Sequence, residues 1–134
     1  MKAFSMTPKM STMQGVFYPT GYAVVMLPDA ETAQKVATKL EQAGVAGDDV
    51  MLLTPPVILQ EIGKIEGDDP VDLPSVGTEG ATVGKYIQLA RQGHHALMVH
   101  ASSEADSERL MSVVREFPYS YAQKYHMLAI EDLE

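Results

Sequence analysis

The sequence predicts an α+β domain in which a sheet of four strands is assembled from two copies of one strand–helix–strand unit. Two observations carry that expectation. The order apolar run, capped helix, turn, apolar run occurs early in the chain and again late. A single offset superposes Val25 on Val99, Asp29 on Ser103, Lys35 on Arg109, Val36 on Leu110 and Leu40 on Val114. Length agrees: 134 residues, 46% of them apolar, are enough for one core and too few for two. Two βαβ halves in series give βαββαβ, the split arrangement of a ferredoxin-like sandwich.

Each element has its local reason. Residues 1–20 scatter Met1, Met6, Met10 and Met13 without a period, which suits a flexible N-terminal arm that docks on a neighbour. The domain proper is expected over 21–134. Tyr22-Ala23-Val24-Val25-Met26-Leu27 is an apolar run of strand length closed by Pro28-Asp29. A helix follows over 30–43, with Ala33, Val36, Ala37 and Leu40 on one face, Asp29 as N-cap and Gly44 as stop. Val50-Met51-Leu52-Leu53 is the second strand.

The halves are separated by an insertion, 54–93. Thr54-Pro55-Pro56 has the form of a helix start, with proline at the first helical position. The stretch 67–77 is polar, proline-bearing loop, and 81–92 is a second helix carrying Val83, Tyr86, Ile87 and Ala90 on one side. A connection this long needs secondary structure of its own. The second unit then begins with Ala96-Leu97-Met98-Val99-His100. Its helix starts at Ser102-Ser103, buries Leu110, Val113, Val114 and Phe117, and stops before Pro118. A single last strand is expected over 121–130.

The strands do not alternate as they would on a half-solvated sheet. Tyr22, Val24 and Met26 oppose Ala23, Val25 and Leu27; Val50 and Leu52 oppose Met51 and Leu53; Ala96 and Met98 oppose Leu97 and Val99. Both faces are apolar, so the second face must be covered either by the insertion or by a second subunit of a homodimer.

Eighteen acidic residues against ten basic ones give a net charge of -8, which works against nucleic acid and anionic membrane surfaces. No apolar run reaches the ~20 residues of a membrane helix, and the first residues lack the apolar stretch of a signal peptide. A cytoplasmic protein is expected. Absence of cysteine excludes disulfides, thiolate metal sites and cysteine nucleophiles.

Chemistry is sparse. His94 and His95, adjacent on a strand, diverge to opposite faces, and His94 lies ~20 Å from His100 at ~3.3 Å per residue, too far to share a metal. No metal or other cofactor is expected. Gly80 and Gly84 are three residues apart with Tyr86 after Lys85, which is not the four-residue spacing and Ser or Thr of a phosphate loop. GxxxG spacing in a helix serves close packing instead. Tyr119, Tyr121 and Tyr125 form an aromatic stripe on the last strand. Ser102-Ser103 reads as a cap, and there is no G-x-S-x-G elbow. If one histidine is functional it is His126, beside Tyr125 on a strand whose open face lines a pocket.

Three stretches resemble the domain of bacterial heat-induced general stress proteins, the YflT-like group. Gly21-Tyr22-Ala23-Val24-Val25 through Leu40-Glu41-Gln42-Ala43-Gly44 is similar to that family's strand, helix and terminal glycine. Gly84-Lys85-Tyr86 with Leu89-Ala90-Arg91-Gln92-Gly93 is similar to its helix before the third strand. Ala96-Leu97-Met98-Val99-His100-Ala101 with 104–114 is similar to its second strand–helix pair. The middle departs from it, being acidic and proline-bearing where relatives are glycine-rich, and the end is tyrosine-rich. The resemblance implies a stress-associated ferredoxin-like domain and carries no catalytic residues.

Two functional expectations result. One is a stress-associated or regulatory module acting by self-association and small-ligand binding. The other is a small dimeric α+β barrel enzyme whose acid–base or ligand residues are His126, Tyr125 and His100. A third, an ACT-like amino-acid sensor using Leu27-Pro28-Asp29-Ala30, lacks the glycine expected in that loop.

Overall fold

The computed structural model describes residues 1–5, 17–62, 78–126 and 129–134, with 78–80 described by backbone alone. The chain is mixed α+β: among the described residues, six strands in one sheet and four helices. At the centre, β2 (Tyr22–Leu27) and β4 (His95–His100) run antiparallel, with Tyr22 opposite His100 and Leu27 opposite His95. Outside them lie β3 (Val50–Leu53), antiparallel to β4, and β5 (Tyr121–Tyr125), antiparallel to β2. Two short strands extend the edges. β1 (Lys2–Ala3) is parallel to β3, and β6 (Ile130–Asp132) is antiparallel to β5, giving the order β1-β3-β4-β2-β5-β6.

Both extra strands correct an expectation. The last strand does not run through to residue 130. It turns back after Tyr125, where the His126 N–H donates to the Ala129 carbonyl at 2.8 Å, and returns as β6. The N-terminal arm is likewise tied down where it is described. Lys2 and Ala3 pair with Met51 and Leu52, the Phe4 N–H donates to the Leu52 carbonyl at 3.0 Å, and Phe17 is fully buried. Residues 6–16 of that arm and the expected loop 67–77 lie outside the described residues.

The duplication read from the sequence is visible in the register. Val24 faces Met98 across the central pair, and these two are themselves separated by the 74 positions that separate Val25 from Val99. Strands related by a twofold repeat must meet at such a pair. The helices repeat too. α1 (Ala30–Gln42) starts where the Asp29 carboxylate accepts the Thr32 N–H at 2.7 Å, and α4 (Glu104–Val114) where the Ser103 hydroxyl accepts the Asp106 N–H at 3.1 Å. These side-chain caps satisfy amides that have no partner within the helix. Gly44 closes α1 at φ +101°, left-handed backbone that a side chain would strain.

The insertion forms α2 (Pro55–Val57), continued by a π turn (Ile58–Ile62), and α3 (Thr78–Arg91). Pro55 sits at the helix start, where its missing N–H costs nothing. The two helical layers bury opposite faces of the sheet. Ala23, Val25, Leu27, Val50, Leu97 and Val99 meet Ala33, Val36, Leu40, Leu110 and Val114 of α1 and α4. Val24, Met26, Met51, Leu53 and Met98 meet Phe17, Ile58, Ile62, Val83, Tyr86 and Leu89. Of the two covers expected for the second face, the chain supplies its own. Each large apolar side chain removed from water there contributes ~1.5–3 kcal/mol, which explains why the face is not left bare. Leu59, 38% exposed, is the one large apolar side chain outside the core among the described residues. Among them, no helix is long and apolar enough to cross a membrane.

Candidate functional site

The three residues expected to share a pocket do not meet. Tyr125 ends β5 with its side chain on the insertion-covered face, 1% exposed. Its hydroxyl lies 2.8 Å from that of Tyr86 on α3, and its ring meets Phe17 and Tyr18 edge-on at 6.0 and 5.0 Å. Burial, and then the neighbouring Tyr125 hydroxyl, raise the Tyr86 phenol well above the ordinary tyrosine value. Tyr121 joins the cluster, 5.8 Å from Tyr86, whereas Tyr119 packs with the other core, so the expected stripe is broken. Among the described residues this is a core, and Tyr125 is enclosed in it.

His126 follows Tyr125 directly and emerges on the opposite side. It is exposed and its Nε2 is 2.8 Å from Glu131 Oε1 across the β5–β6 turn. His100 ends β4 two strands from β5, opposite Tyr22, with its ring 5.1 Å from that of Tyr22. It borders a shallow depression of about 160 Å³ shared with Asp49, Asp106 and Arg109. The other histidines are hydrogen-bonded locally: His94 Nδ1 lies 2.8 Å from Ser120 Oγ, and His95 Nδ1 lies 3.2 Å from the Gly93 carbonyl. His94 precedes β4 rather than lying on it. Among the described residues, no group of three His, Asp or Glu side chains is placed to hold a metal ion.

A different constellation surrounds His126. A groove of about 190 Å³ runs between one face of α4 and the β5–β6 ribbon. Its most unusual member is Lys124, a basic residue only 2% exposed. On β5, Ala122 and Lys124 share the face turned to α4, so the ammonium is carried into a predominantly apolar layer. Lys124 Nζ donates to Ser107 Oγ at 2.7 Å and makes a long contact of 3.5 Å to the Ser103 carbonyl. Ser107 Oγ in turn donates to that same carbonyl at 3.2 Å. At the other end, Arg115 Nε and Nη2 donate to the Glu134 main-chain oxygen at 3.0 and 2.7 Å, and Met111 and Leu133 line the space between.

Comparisons with protein-family models, curated proteins and solved structures give no match to this chain.

The groove was missed at the level of sequence, although a signal exists. Val25 faces Ala122 across β2 and β5, and its repeat partner Val99 faces Val50 across β4 and β3. Ala122 and Val50 are therefore equivalent, which makes Lys124 the counterpart of Leu52. The second half places a buried amine where the first half has a partly buried leucine in the same core. A duplication that is apolar in one copy and charged in the other marks a position where packing alone does not select the residue.

Proposed function

We propose that this chain is a ferredoxin-like module of the bacterial stress-associated or regulatory kind, acting by binding and association rather than by turnover. Support for the ferredoxin-like assignment comes from the inner strand order β3-β4-β2-β5, all antiparallel, with α1 and α4 on one face. The observation that carries the functional reading is the fate of Tyr125. Its hydroxyl is held by Tyr86 inside a sealed aromatic core, on the opposite side of the sheet from His126. A barrel enzyme needs that sheet face open as a concave pocket with converging polar groups.

Self-association belongs to the proposal, although closing the sheet does not require it. The test is genetic and physical together. In a host lacking the gene, the wild-type chain and a His126→Ala, His100→Ala variant should restore stress survival equally. A variant that folds, by circular dichroism, yet fails to restore survival would return those histidines to an active role. Native mass spectrometry of the purified protein reads the other half, and a mass of 14.6 kDa at every concentration removes self-association.

A further inference from the structure

We infer that the groove between α4 and the β5–β6 ribbon is a binding site for a small monocarboxylate, with Lys124 as its anchor. The inference deepens the binding role proposed above and rests on it for its biological meaning. An ammonium offers three donors, and a charge taken out of water needs an ionic or fully hydrogen-bonded partner. Lys124 is 2% exposed and makes one short hydrogen bond, to a neutral serine hydroxyl. Among the described residues, no carboxylate lies within the 4.0 Å of an ion pair with it.

Three of the carboxylates that line the groove are engaged elsewhere. Glu131, directly opposite Lys124 in the β5–β6 register, is hydrogen-bonded to His126. Asp132 accepts from Gln123, and Glu108 is 3.9 Å from Arg115. Lys124 is the buried charge of the groove, and among the described residues it has no partner of opposite charge.

The surroundings restrict the ligand. Glu104, Glu108, Glu131 and Asp132 on the rim repel a dianion such as phosphate more strongly than a single carboxylate. Met111 and Leu133 give the groove an apolar part to its lining. A carboxylate head on Lys124 Nζ and Ser107 Oγ, with a short aliphatic tail over Met111, uses both. The volume of about 190 Å³ admits a ligand of only a few heavy atoms.

Butyrate and, separately, inorganic phosphate are titrated into the full chain at constant ionic strength, followed by calorimetry and amide NMR shifts. Butyrate should saturate one site and shift the amides of Ser107, Lys124 and Glu131. Lys124→Met should weaken butyrate about tenfold or more, the loss of a charge-assisted hydrogen bond, while Lys35→Met on the exposed face of α1 leaves it unchanged. The methionine variant should fold, because the first half carries an apolar residue at this position. Non-saturating butyrate shifts, or equal affinity in Lys124→Met, would overturn the site. Phosphate binding tighter than butyrate would overturn the ligand class. Neither result touches the survival and mass measurements that decide the broader role.

Discussion

Replacing Tyr86 with phenylalanine tests whether the second face of the sheet is sealed as described. Tyr86 is fully buried, its ring lies edge-on to Phe17 at 6.3 Å and to Tyr121 at 5.8 Å, and only its hydroxyl is lost in the variant. Loss of the 2.8 Å bond to Tyr125 should cost ~1 kcal/mol at neutral pH, the net worth of one buried hydrogen bond. The pH dependence is sharper. Burial raises the folded-state value of Tyr86 well above the ordinary one, so the unfolded chain releases this proton first. The stabilisation is complete below about pH 10 and is lost as pH climbs from there towards the folded value. At pH ~11 the loss attributable to Tyr86 is ~1.4 kcal/mol, one pH unit of one linked proton. Tyr86→Phe escapes that loss. Urea unfolding at a series of pH values should therefore show wild type more stable near neutrality and the two curves meeting close to pH ~11. Stability curves that stay parallel across that range would refute the buried, hydrogen-bonded placement of this tyrosine.

The two helix caps of the repeat give a matched pair. Asp29→Ala and Ser103→Ala should each destabilise the fold, the second by ~1 kcal/mol at all pH values because a hydroxyl does not titrate. The hydrogen bond from the Thr32 amide lowers the Asp29 carboxyl. Its contribution is present above the unfolded value of about pH 4 and fades as pH falls below it, so the Asp29→Ala deficit should shrink in acid by urea unfolding. Ile62→Ala, on the insertion and 1% exposed, should cost ~2–5 kcal/mol in the same global transition if the insertion is part of the core. A separate early transition would show that it is not. Lys124→Met should leave thermal stability unchanged or raise it, since a buried charge is exchanged for an apolar side chain; a marked drop would mean that the amine is structural.

What could be read in advance follows from how many residues each signal uses. α1 and α4 declare themselves through four apolar positions apiece and a cap, and β2, β3 and β4 through apolar runs whose two faces match the two cores residue by residue. β1 and β6 contain two and three residues, fewer than any period needs, and their pairing comes from tertiary register. The choice between insertion and partner as cover was open for a related reason. α3 has a weaker apolar stripe than α1, and Gly80 and Gly84 dilute it. Tyr125 and His126 were joined because they are neighbours in sequence. On a strand, neighbours point to opposite faces, and one of the pair became core.

The unequal halves locate function better than any motif does. A duplicated unit satisfies the same packing demands twice, so divergence between equivalent positions is least costly where packing leaves the side chain free. Lys124 against Leu52 does not fit that rule. The position is buried in the second half, and the replacement introduces a charge that is expensive to desolvate. The same half also places Ser107 within 2.7 Å of the amine and adds β6 along the groove. Three changes concentrated around one amine are what a ligand site on that amine would require, and the groove is a face from which a ligand can reach it.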